Sequence, residues 1–146
     1  MALSIFLDTS VLLAGLVDFG PQSAPAQTIL HAVAEKKFEE PGTAWHCCLE
    51  FYSVATRLPP EFRLTPDDAY ELLREEVFGR LAVHDLPAAE RTALFAAGDA
   101  NIAEVARSAG ARVIITDNRR HFLAALRHGI KVETPAEFLA ARPKKA

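Results

Sequence analysis

Short apolar runs along the chain alternate with longer segments in which apolar residues recur at helical spacing. The first run, residues 3–7, ends at the polar residues Asp8, Thr9 and Ser10, and residues 11–17 are apolar again. This pattern predicts a buried strand, a turn and a helix. Asp8 therefore stands at the carboxyl end of the predicted first strand.

The same alternation continues towards the end of the chain. Further helices are predicted at residues 26–38, 45–58, 65–77, 87–97, 99–109 and 122–126, with a last one after Thr134. Further strands are predicted at residues 81–83, 113–115 and 130–132. Strands that alternate with helices are typical of a mainly parallel sheet with helices on both faces. We therefore predict an α/β fold.

Proline, glycine and capping residues predict where several elements begin or end. Pro41 and Gly42 are predicted to end a short strand after the second helix. Thr65 and Thr134 each precede a proline and have an acid three residues on, which predicts a capped helix start. Gly110 predicts the C-terminus of a helix.

Length and composition restrict the organisation of the chain. With 146 residues, of which 50% are hydrophobic, the chain is long enough to bury one sizeable core. We predict a single domain over residues 1–142 and a basic tail at residues 143–146. The net charge is −3, which argues against a surface that attracts nucleic acid everywhere. Any such contact needs a local basic patch.

Cysteine usage and the first residues indicate the compartment. Cys47 and Cys48 are neighbours in an apolar stretch, where a mutual disulfide is strained and a four-ligand zinc site is incomplete. We expect buried thiols in a reducing cytoplasm. The first residues lack a basic leader, and Asp8 interrupts the apolar run well before the roughly 20 residues that a membrane span needs. A cytoplasmic protein with no membrane contact is therefore expected.

Four acids stand where predicted strands end or predicted helices run, and they are Asp8, Glu50, Asp99 and Asp117. The carboxyl ends of parallel strands meet at one edge of an α/β sheet, where ligands bind. Acids that are distant in the chain can therefore converge there. Clustered carboxylate oxygens are the ligands that Mg²⁺ or Mn²⁺ prefers in proteins.

Four segments resemble the PIN-domain family, in particular the toxin ribonucleases of bacterial and archaeal VapBC toxin–antitoxin pairs. The segments are Leu-Asp-Thr-Ser-Val-Leu at residues 7–12, Leu-Glu-Phe-Tyr-Ser-Val-Ala-Thr-Arg-Leu-Pro at 49–59, Gly-Asp-Ala-Asn-Ile-Ala at 98–103 and Ile-Thr-Asp-Asn-Arg-Arg-His-Phe at 115–122. Each motif is short, but their common order and spacing are specific. The resemblance covers nearly the whole chain and implies a PIN-like fold of three layers, α/β/α.

The resemblance also implies an endoribonuclease that hydrolyses RNA phosphodiester bonds with a divalent metal, Mg²⁺ or Mn²⁺. The matching positions for its catalytic and metal-binding acids are Asp8, Glu50, Asp99 and, in an assisting role, Asp117. One or two bound cations would lower the pKa of a water, orient it for in-line attack and offset charge on the leaving oxygen. No nucleophilic side chain is needed.

Each acid also has a purely structural interpretation. Glu50 lies in a nearly apolar stretch, so it is either a ligand or an ion-pair partner, with Arg57 as the alternative partner. Asp99 begins a predicted helix, where a carboxylate is favourable for capping alone. Asp117 belongs to a turn in which an exposed Asp-Asn pair is common, and Asn118 can supply the contact instead.

Polar and basic residues beside the acids are the expected substrate contacts. Ser10 and Thr116 can hold an acid, a metal-bound water or a substrate phosphate, although each can equally cap a helix. Asn118, Arg119 and Arg120 follow in the same turn, and cations beside a carboxylate site suit a phosphate backbone. A solvated helix start is the alternative. Further cations that can extend the patch are Arg57, Arg127, His128 and Lys131.

The resemblance implies two protein partners besides the RNA substrate. One is a cognate antitoxin whose tail lies across the acidic groove, and the other is a second copy of the chain in a homodimer. The helices near residues 24–38 and 45–78 are candidate surfaces, because a second subunit can cover their apolar side chains. Packing in the core accounts equally well for the same side chains.

Other α/β domains with acids at strand ends fit less well. A receiver-like domain needs an adjacent acidic pair near the first strand, and a haloacid-dehalogenase-type phosphatase needs a second Asp where this chain has Ser10. Two alternatives keep the fold. One is an RNA-processing nuclease outside any toxin pair, and the other is a catalytically silent module that binds protein or RNA.

Overall fold

The central element of the structure is a sheet of short parallel strands. The computed structural model describes residues 4–85, 101–126 and 129–142, without the side chains of residues 101–104, 121, 123 and 124. Within these ranges the strands are β1 (Ile5–Leu7), β2 (Gly42–Ala44), β3 (Ala82–His84), β4 (Val113–Ile115) and β5 (Lys131–Glu133). Their order is β3-β2-β1-β4-β5, and every neighbouring pair is parallel. The predicted parallel sheet is confirmed.

Helices connect the strands and cover the sheet. In the described ranges they are α1 (Thr9–Leu16), α2 (Ala24–Ala34), α3 (Trp45–Ala55), α4 (Pro66–Leu72), α5 (Asn101–Ser108), α6 (Leu123–Leu126) and α7 (Pro135–Ala141). Single 3₁₀ turns precede α2 and α6, and a π-helical segment, Leu73–Phe78, continues α4. By the right-handed rule for parallel crossovers, the helices between β1 and β3 are expected on one face of the sheet and those that lead to β4 and β5 on the other. The predicted α/β fold is confirmed.

The hydrophobic core is centred on β1 and β4, which have a neighbouring strand on either side. No residue of these two strands is more than 1% exposed. Strands that are buried on both faces need continuous apolar runs rather than alternation, and both strands have such runs in the sequence. Around them, α1 packs against α2 and α3, while α2 also packs against α7. The core thereby holds the carboxyl ends of β1 and β4 side by side.

Several predicted helix boundaries are confirmed. Thr65 accepts a hydrogen bond from the Asp68 amide at 3.1 Å, and Thr134 forms a capping box with Glu137 at the start of α7. Gly110 follows α5 with a φ of +75°, the left-handed conformation that ends many helices. The local signals at these positions agree with the tertiary fold.

The predicted strand boundary at Pro41 and Gly42 is wrong. Gly42 does not end a strand but begins β2. A Cβ at this position would lie 3.1 Å from the His84 side chain on β3, which is tighter than ordinary van der Waals contact. Gly42 therefore permits close pairing of β2 with β3, and β2 leads directly into α3.

Part of the predicted organisation lies outside the described residues. This applies to the helix at residues 87–97, to the start of the helix at 99–109 and to the tail at 143–146. The single domain over residues 1–142 stays a prediction. Across the described ranges, no helix is both long enough and apolar enough to cross a membrane.

Candidate active site at the carboxyl edge of the sheet

Asp8 and Thr116 meet at the carboxyl edge of the sheet because each directly follows a central strand. In the parallel pair β1 and β4, Leu7 is in register with Ile115. The Asp8 amide donates a hydrogen bond to the Ile115 carbonyl oxygen at 3.0 Å. On the other side, the buried Thr43 hydroxyl donates to the Leu7 carbonyl oxygen at 2.7 Å. The backbone that presents Asp8 is therefore anchored to both neighbouring strands.

The Asp8 carboxylate is buried, with only 5% of the residue exposed. Its Oδ2 accepts hydrogen bonds from the Thr116 hydroxyl at 2.7 Å and from the Ser10 hydroxyl at 3.3 Å, and its Oδ1 lies 3.9 Å from Cys47 Sγ. Asp8 directly precedes α1, so the positive end of the helix dipole partly compensates its charge. No described Lys or Arg lies within ion-pair distance of it. A buried carboxylate without a counter-ion is costly unless a cation binds to it.

The turn after β4 is organised by two hydroxyl groups. Ser10 Oγ accepts a hydrogen bond from the Asp117 amide at 3.0 Å, and Thr116 Oγ1 accepts one from the Asn118 amide at 2.9 Å. Ser10 lies inside α1 and does not cap it. Both hydroxyls thus hold the Asp8 carboxylate and shape the turn that carries the next acid.

Asp117 is exposed at the rim of this turn. Partial burial raises the pKa of its carboxyl group above the ordinary value, and the negative charge of Asp8 adds to the rise. A negative charge raises the pKa of a neighbouring carboxyl group only when the two groups are close together. The structure therefore brings Asp8 and Asp117 into one electrostatic environment, although 109 positions separate them in the sequence.

Glu50 approaches the same edge from α3. The Thr9 hydroxyl donates a hydrogen bond to Glu50 Oε1 at 3.0 Å, and Thr9 directly follows Asp8. His46 Nε2 lies 3.3 Å from the same carboxylate oxygen. The sequence prediction gave His46 no role, although its four-residue spacing from Glu50 on a predicted helix is a signal for contact.

The setting of Glu50 differs from what its apolar neighbours in the sequence indicate. Its side chain is 44% exposed rather than enclosed by the apolar stretch, because Trp45 and Leu49 on the same helix are themselves exposed. Arg57, the alternative ion-pair partner, donates instead from Nη2 to Ser53 Oγ at 2.7 Å. Glu50 therefore lies at a solvent-accessible rim, where it can meet a ligand from outside.

The cations predicted beside the acids are only partly available to a ligand. Arg119 Nη1 forms an ion pair with Glu137 Oε2 at 3.0 Å. Arg120 and Asn118 are exposed in the same turn. The positive charge at this edge is therefore smaller than the sequence alone indicates.

Two of the cations that could have extended the basic patch, Lys131 and Arg57, do not lie at this edge. Lys131 begins β5 and so lies at the opposite, amino edge of the sheet. Arg57 follows the end of α3, away from the edge at which that helix begins. Asp99, Arg127 and His128 lie outside the described residues, so the role of Asp99 stays a prediction.

The two cysteines are free and buried, as predicted. Burial raises the pKa of the Cys47 thiol to about 11, with a further contribution from the charge of Asp8. Burial likewise raises the pKa of Cys48 to about 12. Both side chains are therefore neutral thiols at physiological pH, and Cys47 faces Asp8 as an uncharged group.

The donors at this edge fit a divalent cation that prefers oxygen ligands. Asp8 and Asp117 supply carboxylates, the hydroxyls of Ser10 and Thr116 orient Asp8, and Glu50 lies at the rim. Among the residues with described positions, no group of three or more Asp, Glu, His or Cys side chains is arranged to hold a metal ion. The fit rests on the oxygen chemistry and on the buried charge of Asp8.

Comparison with known proteins gives matches in family and in fold. A family model described as PIN domain matches residues 4–120. The chain is similar to the crystal structure of FitAcB from Neisseria gonorrhoeae, with a TM-score of 0.58 and 19% identity over 90% of this chain and 98% of that chain. It is also similar to FitAB bound to an IR36 DNA fragment, with a TM-score of 0.57 and 19% identity over 90% of this chain and 94% of that chain. A search of curated proteins finds no match.

Proposed function

Because the chain belongs to the PIN domain family, we propose that it is a divalent-metal-dependent endoribonuclease and the toxin of a type II toxin–antitoxin pair. PIN domains are generally metal-dependent nucleases. The observation that carries the proposal is the buried Asp8 carboxylate, which has no cationic partner among the described residues. It stands at the edge of the sheet where ligands bind.

The proposed metal ligands are Asp8, Glu50 and Asp99, with Asp117 assisting, and the proposed metal is Mg²⁺ or Mn²⁺. Such a cation, when bound, supplies an activated water and offsets charge at the scissile phosphate. Thr116 and Ser10 restrict the Asp8 carboxylate to one orientation through their hydrogen bonds to Oδ2. Less side-chain freedom is then lost when a ligand binds. We therefore assign both hydroxyls to the positioning of Asp8 rather than to direct phosphate contact.

The proposed substrate is RNA in the cytoplasm, bound through the turn after β4. Arg120 is exposed there, and its planar guanidinium matches the geometry of a phosphate group. Arg119 can exchange its exposed partner Glu137 for a phosphate at small cost, since solvent-exposed ion pairs are weak. Asn118 supplies an amide to the same surface.

Cleavage of labelled RNA tests the nuclease proposal. We expect cleavage that requires Mg²⁺ or Mn²⁺, stops when a chelator is added and is lost in Asp8→Ala and Glu50→Ala. Asp18→Ala is the matched control, because Asp18 is an exposed carboxylate that accepts a hydrogen bond from the Gly20 amide beyond the far end of α1. Wild-type cleavage by Asp8→Ala contradicts the assignment, and RNA binding without cleavage favours a silent binding module.

Exposed apolar side chains on α3 support a contact with another protein. Trp45, Leu49 and Tyr52 recur at helical spacing and are 43%, 52% and 38% exposed. Phe78 extends this surface, with its ring centroid 6.0 Å from that of Trp45. We assign these four side chains, the α3 apolar face, to the proposed homodimer. Glu50 is the next residue after Leu49, so an antitoxin tail across the acidic edge would border the same face.

The homodimer is tested by light scattering on the purified chain. We expect a dimer for the wild type and a monomer for Leu49→Glu, because a charge cannot be buried without a partner. Leu126→Glu is the matched control, since Leu126 is 53% exposed on α6, which packs against α5 and β5. A monomeric wild type, or a dimeric Leu49→Glu, contradicts this assignment.

The toxin assignment is tested by expression in a host cell. We expect wild-type chain to arrest growth, Asp8→Ala to permit it, and the product of a small reading frame next to the gene to restore growth by binding the toxin. Growth arrest that no neighbouring product relieves favours an RNA-processing nuclease outside a toxin pair.

A further inference from the structure

A basic pocket lies at the amino edge of the sheet, opposite to the acids. Its volume is about 460 Å³, and its walls come from the turns that precede β4 and β5 and from the C-terminal ends of α5 and α7. Four cationic residues line it, Arg107, Arg112, Lys131 and Arg142, and no Asp or Glu is among the described residues that do so. This is a strong concentration of positive charge in a chain whose net charge is −3.

Two glycine turns give the pocket its open form. Gly110 and Gly129 have φ angles of +75° and +76° in the turns that lead into β4 and β5. A Cβ at either position would meet no described atom within 4 Å, so the space beside both turns is accessible. The Lys131 amide donates a hydrogen bond to the Arg112 carbonyl oxygen at 3.0 Å. Two cationic residues are therefore neighbours beside that space.

The cations of the pocket differ in how far they are neutralised. Arg142 Nη2 lies 3.3 Å from Glu133 Oε1, and its guanidinium packs 4.2 Å above the centre of the Phe138 ring. Arg112 and Lys131 are exposed, and within the described ranges neither has an ion-pair partner. Adjacent like charges repel each other, and a polyanion relieves that repulsion.

We infer that this basic pocket binds the phosphodiester backbone of the RNA strand whose cut site lies at the acid edge. The inference rests on the proposed function, because it takes RNA as the substrate. The acid edge is itself negative, and Arg119 is paired with Glu137 there. Part of the attraction for a polyanion must therefore come from cations elsewhere on the surface. The pocket is a second anchor, remote from the cut.

One RNA strand can span the two edges of the sheet. The five steps from Arg112 to Asp117 correspond to about 16 Å of extended chain. β5 is the outermost strand on this side of the sheet. Residues 119–122 pack against it near the acid edge, and Lys131 begins it at the basic pocket. Single-strand binding domains cover about 4–16 nucleotides, and a path along β5 fits that range.

Binding of fluorescent RNA to the intact chain in the presence of a chelator tests the inference without any need for cleavage. We expect Arg112→Gln/Lys131→Gln to weaken binding of an RNA of about 16 nucleotides by about 20-fold at 0.1 M salt. The slope of log affinity against log salt should fall by about 1.4, because each single-strand phosphate contact contributes about 0.7. In Mg²⁺, the KM of the same RNA should rise while kcat is retained.

Two further variants separate this effect from general charge and from misfolding. Lys37→Gln/Arg74→Gln removes the same charge from two exposed cations that already contact carboxylates, and it should bind RNA as the wild type does. Arg112→Lys/Lys131→Arg keeps both charges and should retain binding. An unchanged salt slope in Arg112→Gln/Lys131→Gln overturns the inference, as does an equal loss in the control pair or tighter binding of an acidic peptide than of RNA. If the wild type binds RNA but does not cleave it, and Arg112→Gln/Lys131→Gln binds RNA more weakly, the result supports RNA binding at the basic pocket and contradicts only the proposed nuclease activity.

Discussion

The Thr116 hydroxyl donates a 2.7 Å hydrogen bond to Oδ2 of Asp8, which lies 108 positions earlier in the chain. The two residues meet because β1 and β4 are adjacent and parallel, with Leu7 opposite Ile115. Both residues are buried, and a hydrogen bond to an ionised acceptor is roughly twice as strong as a neutral one. The Asp8 carboxylate is therefore held in one orientation at the edge of the sheet.

Thr116→Val should remove this hydrogen bond while it keeps the size and shape of the side chain. Valine has nearly the same volume but no hydroxyl, so Asp8 loses its closest donor. We expect RNA cleavage to fall by about 10- to 100-fold and the free energy of unfolding to fall by about 1–3 kcal/mol. Initial cleavage rates and urea unfolding measure the two effects. Thr116→Ser keeps the hydroxyl and should retain most activity, whereas full activity of the valine variant would show that the hydrogen bond is not needed.

Thr9→Val tests whether the Thr9 hydroxyl presents Glu50 to the metal. Without that 3.0 Å hydrogen bond, Glu50 samples more rotamers, and we expect the Mg²⁺ concentration for half-maximal cleavage to rise several-fold. The free energy of unfolding should change by less than about 1 kcal/mol, because the Glu50 side chain is half-exposed. Thr28→Val is the control, since its hydroxyl bonds to the Ala24 carbonyl oxygen on the exposed side of α2. If Thr9→Val needs the same Mg²⁺ concentration for half-maximal cleavage as the wild type, Thr9 has no role in presenting Glu50.

Asp117→Asn should stabilise the metal-free protein at neutral pH. Partial burial and the charge of Asp8 raise the pKa of Asp117 from its ordinary value of 3.8, so the folded state binds this proton more tightly than the unfolded state. The ionised Asp117 therefore lowers the free energy of unfolding. This loss is absent below the ordinary pKa of 3.8 and appears as the pH rises through the raised pKa of the folded state. Because Asp117 is exposed, the gain in the Asn variant should be below about 1 kcal/mol. Urea unfolding of both proteins in a chelator from pH 4 to 8 measures this gain. If the difference in free energy of unfolding between Asp117→Asn and the wild type shrinks as the pH rises, the prediction is contradicted.

The cysteine thiols should be unreactive in the folded protein. Burial raises the pKa of Cys47 to about 11 and that of Cys48 to about 12, and the reactive species is the thiolate. We expect alkylation at pH 8 to occur only in the small fraction of opened or unfolded molecules, and both cysteines to react at once in urea. Mass spectrometry of the alkylated chain measures this. Rapid labelling of native protein would show that the helix α3 opens far more often than its packing indicates.

The sequence predicts best those parts of the fold in which local pattern and tertiary environment agree. β1 and β4 are buried on both faces, so their continuous apolar runs identify them. Thr65 and Thr134 cap helices through contacts within the same segment, which local sequence determines. The meeting of Asp8 with Asp117 also follows from sequence, because parallel strands place their carboxyl ends at one edge.

Tertiary packing decides the features that the sequence does not predict. The apolar stretch around Glu50 winds around a helix of which only one face is buried, so Glu50 is half-exposed and contacts Thr9 and His46. Lys131 stands only two residues before Glu133 at the other end of β5. In such short strands, a shift of a few residues moves a cation from the acid edge to the basic pocket.

Mn²⁺ binding to the intact chain, measured by isothermal titration calorimetry, tests the central claim most directly. The claim is that acids from separate strands and helices form one cation site at the carboxyl edge. We expect saturable Mn²⁺ binding by the wild type and by Asp18→Asn, with affinity weakened at least 10-fold in Asp8→Asn. Asp8→Asn keeps the size of the side chain and removes only its charge. Equal Mn²⁺ affinity of wild type and Asp8→Asn would contradict the metal site and the nuclease proposed on it.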